Sequence, residues 1–299
     1  MLRFLASVGI ALGCLVALLA IVAAWILLTT PRPTDIRDCL VARMYQVPLC
    51  PSKPGYATLR SIAPIVRQAV VASEDGSFYD HRGFDWFEMR ESFERNWAEG
   101  RFARGGSTIT QQLAKNVYLT KDKSVLRKLR EALIVVQLEK ALSKDEILEK
   151  YLNVVELGPG VFGITAASFY YFQKPPARLG PVEASFIAFL LPNPKKYSAS
   201  FRAHKLTKFA RGQVKAILGR LWKMKKLSEE QYQSSLFDVD RIFGVAPDMR
   251  DEGAPSPDEG DSAPVVSRAE PAPDLSPSAD APAAVKAPVE NSNREEDLD

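Results

Sequence analysis

An uncharged stretch near the N-terminus constrains this chain more than any other feature. No Asp, Glu, Lys or Arg occurs between Phe4 and Leu28. About 20 consecutive apolar residues suffice for a helix to cross a bilayer, whereas a cleaved secretory signal has a shorter apolar region of about 7–15 residues. A lipoprotein signal ending at Cys14 is another alternative, but the fourteen residues that follow this cysteine are also uncharged. The stretch therefore predicts an uncleaved, single-pass transmembrane anchor.

Charge divides the rest of the chain into two parts. The formal net charge is +3, but the C-terminal segment Pro247–Asp299 holds 14 acidic and 4 basic residues, which leaves +13 on the preceding part. The segment also contains 9 Pro and no Phe, Trp or Tyr. Such a composition cannot bury enough apolar surface to fold. We predict a disordered acidic tail that binds partners, repels the anionic membrane or folds back on the basic part.

Helical patterns fill the region between the anchor and the tail. Apolar residues at alternating steps of three and four predict an amphipathic helix within Ser124–Leu142; they are Leu126, Leu129, Leu133 and Val136. Capping-box patterns at Ser143–Glu146 and Ser228–Gln231 predict two further helix starts, and Pro181 predicts another. The chain is thus predicted to be mainly α, with an anchor (4–28), a juxtamembrane segment (29–60), a helical domain (61–246) and the tail (247–299).

The chain has only three cysteines, which excludes a disulfide-rich scaffold. Cys39 and Cys50 both follow the anchor and are close in sequence. They can form a disulfide if this side of the membrane is oxidising, or remain two small apolar side chains.

Several segments combine polar residues in patterns that suit chemistry. Glu74 and Asp75 are adjacent carboxylates, and adjacency raises the pKa of one of them, as a general base requires; a solvated turn is the simpler alternative. Gly105–Asn116 begins a helix with small hydroxyl and amide residues, and a helix N-terminus favours anions. Arg127 and Glu131 form either a surface pair or a carboxylate that fixes an arginine aimed at a phosphate.

In order and spacing, these segments resemble the motifs of the peptidoglycan glycosyltransferases. The motif Glu-Asp-x-x-Phe-x-x-His-x-Gly-x-Asp occurs at 74–85, Gly-Gly-Ser-Thr-Ile-Thr-Gln-Gln-Leu-x-Lys-Asn at 105–116 and Arg-Lys-x-x-Glu at 127–131. Lys-x-x-Ile-Leu-Glu-x-Tyr-Leu-Asn follows at 144–153, and a fifth match lies around 190–194. The resemblance covers about Ile62 to Ser198 and implies a lysozyme-like, mainly α catalytic domain. Leu157 and Gln173 depart from the family pattern at positions without a catalytic role.

The resemblance implies a reaction and a set of roles. The family polymerises lipid II: the 4-hydroxyl of an acceptor lipid II attacks the anomeric carbon of a growing chain on undecaprenyl pyrophosphate, with inversion to a β-1,4 linkage. Glu74 would be the general base, and Glu131 would hold the cations Lys115 and Arg127 against the departing pyrophosphate. Further residues would line the substrate site or support the loop around the base: Thr108, Gln112, Ser107, Asn116 and Lys128 for substrate, and Asp75, Phe78 and His81 for support.

The same resemblance implies where the enzyme is located and which partners it has. The anchor would lie in the bacterial inner membrane, with the catalytic domain on the periplasmic side. Aromatic and arginine residues are mixed between 86 and 104 and would either dip into the lipid interface or belong to the core: Trp86, Phe87, Met89, Phe93, Trp97 and Phe102, with Arg90, Arg95, Arg101 and Arg104. Lipid II, the glycan chain, the membrane and cell-wall synthesis proteins are the expected partners. Nucleic acid is not, because anionic lipid and pyrophosphate explain the basic residues better.

No cofactor is predicted to be required. No carboxylate cage for a metal is evident, so Mg²⁺ or Mn²⁺ would only share the pyrophosphate charge. The strings Ser-x-x-Lys and Lys-Thr-Gly are absent, which predicts a monofunctional enzyme without transpeptidation. Two alternatives remain. One is a membrane-anchored lytic enzyme that cleaves glycan and needs no anion-binding face. The other is a non-catalytic scaffold that binds lipid II.

Overall fold

Helices dominate the computed structural model of the chain, which describes residues 2–33, 36–99, 106–122, 124–202 and 206–243. The mainly α prediction is confirmed. The predicted tail, 247–299, and residues Arg101, Phe102, Arg104 and Gly105 lie outside the described residues. The helices are α1 (Leu2–Thr29), α2 (Pro64–Glu74), α3 (Trp86–Glu99), α4 (Ile109–Tyr118), α5 (Val125–Ala141), α6 (Lys144–Val154), α7 (Gly163–Phe172), α8 (Pro181–Leu190), α9 (Pro194–Arg202), α10 (Lys208–Lys223) and α11 (Glu229–Phe243).

The core is built around α8, which is apolar and buried from Val182 to Leu190. Helices α2, α10 and α11 pack against it. Helix α2 contributes Val66, Ala69 and Val70, which are spaced by three and four residues and fully buried. Such spacing places apolar side chains on one face of a helix. The packing fixes the C-terminal end of α2, where Glu74 lies.

A second group of helices, α4, α5 and α6, carries the other motif segments. Helix α4 packs against α5 and α6. Capping boxes begin α4 at Thr108 and α6 at Ser143, and Ser124 caps α5, so the predicted start of α6 is confirmed. The predicted starts at Pro181 and Ser228 are also confirmed. These caps satisfy backbone N–H groups that a helix N-terminus otherwise leaves without partners.

Two small antiparallel hairpins complete the described part of the chain. Strands β1 (Leu40–Ala42) and β2 (Val47–Leu49) pair, and Cys39 and Cys50 at their ends form a disulfide. The hairpin meets α4, because the Arg43 N–H donates to the Val117 carbonyl at 2.8 Å. Strands β3 (Glu156–Gly158) and β4 (Val161–Phe162) pair on either side of a turn at Pro159 and Gly160.

Helix α1 is the one helix among the described residues that is long and apolar enough to cross a membrane. Its leucines from Leu12 to Leu28 are exposed, with Leu28 at 80%. It meets the rest of the protein near its C-terminal end, where Arg130 of α5 donates to the Thr29 hydroxyl at 3.0 Å and lies 4.9 Å from the Trp25 ring centre. The structure therefore agrees with the predicted anchor in length and composition.

Helix α5 forms as predicted, but a different face is buried. Its buried residues are Glu131, Ile134, Val135 and Leu138. Leu129 and Val136, which belong to the predicted apolar stripe, are 50% and 42% exposed. The stripe lies towards the outside because α4 and α6 pack on the neighbouring face.

The aromatic residues of α3 are exposed and do not belong to the core. The exposed fractions are 71% for Trp86, 69% for Phe87, 62% for Phe93 and 81% for Trp97. Of the two interpretations of this segment, the core assignment is wrong for these four residues. Exposed aromatics interleaved with arginine are typical of a surface that contacts a lipid interface.

Candidate active site

Glu74 is the last residue of α2 and is held in place by a neighbouring helix. Its Oε2 accepts a hydrogen bond of 2.8 Å from Nε2 of Gln112 on α4. Burial raises the pKa of the Glu74 carboxyl, while the Gln112 bond and the positive charge of Lys115 oppose that rise. A carboxyl group with a raised pKa and a fixed orientation can accept a proton from a nearby hydroxyl.

Tyr151 fixes the orientation of the Gln112 amide. The Tyr151 hydroxyl donates to Oε1 of Gln112 at 3.0 Å, which leaves the amide NH₂ directed at Glu74. Tyr151 is fully buried, and burial raises its pKa well above the ordinary value, so that it remains a donor. Sequence reasoning did not single out Tyr151, although it belongs to the fourth motif.

Asp75 and His81 join the end of α2 to the start of α4. Oδ2 of Asp75 accepts from the Ile109 N–H at 3.0 Å, and Oδ1 lies 2.8 Å from Nε2 of His81. Because the Gly83 N–H donates to Nδ1 of His81 at 3.1 Å, the proton of a neutral ring must be on Nε2, which then donates to Asp75. These contacts agree with the supporting role predicted for Asp75 and His81.

Gly83 is required by the geometry of this loop. Its φ is +87°, a region that favours glycine, and a Cβ here would lie 2.5 Å from Cγ1 of Val135. The Gly83 carbonyl accepts from the Thr108 hydroxyl at 2.7 Å. Thr108 is buried, and its hydroxyl also accepts from the Gln111 N–H at 3.2 Å. The hydroxyl predicted to line the donor side is thus engaged in bracing the loop and the helix start.

Phe78 and Asp85 complete the loop. Phe78 is fully buried, and the Lys144 ammonium lies 4.5 Å from its ring centre. Asp85 begins α3 by accepting from the Glu88 N–H at 2.9 Å, and it also accepts from the Ser77 hydroxyl. The loop around Glu74 is therefore cross-linked by side chains at several points along its length.

Asp75, His81 and Asp85 are the residues of the described part whose geometry comes nearest to a metal site. Their donor atoms lie within 4.8 Å of one another. Each carboxylate oxygen and each ring nitrogen of the three, however, already has a hydrogen-bond partner within the loop. A cation here would have to break those bonds, so this group does not fit a metal site.

A second charged cluster lies at the start of α5. The Glu131 side chain is only 3% exposed and lies between two cations: Nη1 of Arg127 is 2.7 Å from its Oε2, and Nζ of Lys128 pairs with its Oε1. One carboxylate thus holds two cations, and the group keeps a net positive charge. The Arg127 guanidinium is 20% exposed and can reach a ligand.

The remaining predicted residues lie along α4. Lys115 is partly buried and close enough to Glu74 to lower its pKa. Ser107 is exposed just before the helix, and Asn116 is buried. Arg220 of α10, which sequence reasoning did not identify, also acts on Glu74: its positive charge lowers the Glu74 pKa, and its Nη1 lies 3.5 Å from the Ala72 carbonyl.

Comparison with known proteins places these residues in a family. The family model described as Transglycosylase matches residues 44–221. A biosynthetic peptidoglycan transglycosylase of Azoarcus sp. (strain BH72) is 52% identical over 136 residues, which are 46% of this chain and 59% of the relative. One of Dechloromonas aromatica (strain RCB) is 42% identical over 186 residues, or 61% of this chain and 80% of the relative.

A third relative extends the match. A biosynthetic peptidoglycan transglycosylase of Nitrosomonas eutropha (strain DSM 101675 / C91 / Nm57) is 39% identical over 215 residues, which cover 69% of this chain and 86% of the relative. The family match includes every predicted site residue from Glu74 to Glu131. Since it spans more than half of the chain, the chain belongs to the transglycosylase family.

Proposed function

We propose that this protein polymerises lipid II into linear β-1,4 glycan strands of peptidoglycan. The growing chain is transferred from undecaprenyl pyrophosphate to the 4-hydroxyl of an acceptor lipid II, and the anomeric configuration inverts. The observation that carries the proposal is the Glu74 carboxyl, which is partly buried, has a raised pKa, and is oriented by Gln112 beside a cation. Family membership and the relatives' names support the same activity.

Glu74 acts as the general base. Its carboxylate accepts the proton of the acceptor 4-hydroxyl as that oxygen attacks the anomeric carbon and the bond to the pyrophosphate oxygen breaks. General-base catalysis by a positioned side chain contributes typically about 10²–10⁴-fold to the rate. The Gln112 amide keeps the carboxylate from turning away from the acceptor.

The cations stabilise the leaving group. Lys115 and Arg127 take the negative charge that develops on the pyrophosphate, and Lys128 adds to the same field. Glu131 positions Arg127 and Lys128 through its two ion pairs. Ser107, Thr108 and Gln112 lie at or near the start of α4 and Asn116 lies in its last turn, and we assign this helix to the donor side. The transfer is proposed to need no metal; Mg²⁺ or Mn²⁺ would only share the pyrophosphate charge.

The protein works at the inner membrane with its catalytic domain on the periplasmic side. Helix α1 is the single-pass anchor, and the Cys39–Cys50 disulfide supports an oxidising compartment for the residues that follow it. The exposed aromatics of α3, with Arg90 and Arg95, contact the lipid interface near the substrate's lipid tail. Cell-wall synthesis proteins are the partners expected there, and nucleic acid is not.

Labelled lipid II tests this proposal against its alternatives. Full-length protein in neutral-detergent micelles is incubated with labelled lipid II, and separately with preformed glycan. Polymer from lipid II is the expected result. Shortening of preformed glycan without polymer would support a lytic enzyme, and binding of lipid II without either product would support a scaffold.

A further inference from the structure

A pocket lies where the anchor meets the rest of the protein. The end of α1, the turn of the β1–β2 hairpin, the α4–α5 connection and the first turns of α5 all contribute to its lining. Three arginines line it: Arg43 from the hairpin turn, and Arg127 and Arg130 from α5. The proposed mechanism uses Arg127 but gives no role to Arg43 or Arg130.

The backbone of Arg43 is fixed on both sides. Its N–H donates to the Val117 carbonyl at 2.8 Å, and its carbonyl accepts from Nε2 of Gln46 at 3.0 Å. The hairpin that carries it is closed by the Cys39–Cys50 disulfide. Arg43 is therefore held at the pocket by the fold, although its side chain is exposed.

Arg130 is also held in position, but not by a carboxylate. Its Nη2 donates to the Thr29 hydroxyl at 3.0 Å, and its guanidinium lies 4.9 Å from the Trp25 ring centre. Its Nε is buried and has no hydrogen-bond partner among the described residues. A buried donor without a partner destabilises the protein, and a ligand that accepts this hydrogen bond would remove that penalty.

The charges around the pocket are unbalanced. Asp122 is the only carboxylate among the described lining residues, and it accepts a hydrogen bond from the Thr120 hydroxyl. Glu131 pairs with Arg127, whereas neither Arg43 nor Arg130 has a carboxylate within ion-pair distance in the described part of the chain. Planar guanidinium groups that lack a carboxylate partner suit a phosphate.

Apolar residues beside the pocket indicate what carries that phosphate. Val125 and Leu129 of α5 are 80% and 50% exposed, and Leu28 at the end of the anchor is 80% exposed. An amphiphile would place its head group at the arginines and its hydrocarbon chains along these side chains and the anchor. We propose that Arg43 and Arg130 form a binding site for the phosphate of a membrane lipid, beside the catalytic cations; this proposal rests on the proposed membrane anchoring.

Two lipids supply the same chemistry, an anionic phospholipid and a polyprenyl pyrophosphate. Full-length protein in neutral detergent is titrated with phosphatidylglycerol, phosphatidylcholine or farnesyl pyrophosphate, and bound molecules are counted by native mass spectrometry. Arg43→Gln/Arg130→Gln is compared with Arg60→Gln/Arg178→Gln, which removes two exposed arginines outside the pocket. Arg43→Lys/Arg130→Lys keeps the charge, and thermal melting shows whether each variant is folded.

Wild type and the control are expected to prefer phosphatidylglycerol over phosphatidylcholine at least about tenfold, and the pocket variant to lose that preference. Competition by farnesyl pyrophosphate would identify a polyprenyl pyrophosphate as the source, and no competition would identify the phospholipid. An unchanged preference in a folded Arg43→Gln/Arg130→Gln protein would overturn the proposal. The readout needs no turnover, so a wild type that makes no polymer contradicts the proposed function and leaves this test intact.

Discussion

Nε2 of Gln112 donates a 2.8 Å hydrogen bond to Oε2 of Glu74, and the amide that makes it is itself oriented by Tyr151. The bond favours the ionised form of a carboxyl group whose pKa is raised mainly by burial. In the proposed mechanism, Gln112 therefore affects the pH range in which Glu74 can act as a base.

Replacing Gln112 with methionine should shift the pH dependence of the reaction. The variant keeps the side-chain size but removes a contact that lowers the Glu74 pKa, so the pKa rises further. Because the base must be ionised, the acidic limb of the kcat/KM profile should move to higher pH, as polymer formation across pH would show. Gln213→Met, on the exposed side of α10, is the control. An acidic limb that stays in place or moves to lower pH would refute the coupling.

Glu131→Gln should weaken both stability and catalysis. The change leaves Arg127 and Lys128 without the carboxylate between them, at a cost of about 1–3 kcal/mol in the free energy of unfolding. The value of kcat/KM should fall at least about tenfold because Arg127 is no longer positioned. Glu94→Gln, which breaks the exposed pair with Arg90, should leave the free energy of unfolding almost unchanged, because solvent screens an exposed pair. If denaturant unfolding shows the same loss in the free energy of unfolding for Glu131→Gln and Glu94→Gln, Glu131 has no special role in stability.

Removing the disulfide should loosen the end of α4. The bond closes a loop with a sequence separation of 11, and a loop of this size stabilises a fold by about 2–3 kcal/mol. The hairpin that it closes donates to the Val117 and Asn116 carbonyls.

Cys39→Ser/Cys50→Ser, and wild type in reductant, should therefore unfold at lower denaturant. Cys14→Ser, at an exposed thiol in the anchor, should not. If the double variant unfolds at the same denaturant concentration as wild type, the disulfide does not stabilise this part of the fold.

Gln173→Gly should leave the protein unchanged or stabilise it by up to about 1 kcal/mol. Gln173 caps the C-terminal end of α7 with a φ of +53°, a conformation that favours glycine. Its Nε2 bonds to the Phe169 carbonyl at 2.6 Å and offsets part of the strain. Gln137→Gly, inside α5, should destabilise by about 1 kcal/mol. If thermal melts show that Gln173→Gly loses as much stability as Gln137→Gly, the change at Gln173 relieves no backbone strain.

Local sequence signals predicted most of the helices. Capping boxes and prolines act within one turn of the chain, so the starts at Ser143, Pro181 and Ser228 could be read without knowing the fold. The motif segments also singled out Glu74 and the loop that follows it, and the catalytic and supporting roles of these residues stay predictions. The family match then established what the resemblance implied, a mainly helical, lysozyme-like transglycosylase domain.

The features that the sequence did not predict depend on packing between distant parts of the chain. The leucine spacing in α5 predicted a helix but could not decide which face α4 and α6 would cover, and Leu129 is exposed as a result. The Tyr151 bond to Gln112 joins residues 39 positions apart, and Arg130 meets Thr29 across 101 positions. Such pairs follow from how helices pack, which no local pattern encodes.

The most direct test of the account is the initial rate of lipid II polymerisation by Glu74→Gln at saturating lipid II and neutral pH. Burial raises the pKa of the Glu74 carboxyl. The folded protein therefore loses stability as the pH rises through that pKa and the carboxyl ionises. Because the glutamine amide is neutral, Glu74→Gln should melt no lower than wild type. With the fold thus preserved, the rate should fall by about 10²–10⁴-fold. A Glu74→Gln protein that polymerises lipid II within threefold of the wild-type rate would contradict the account.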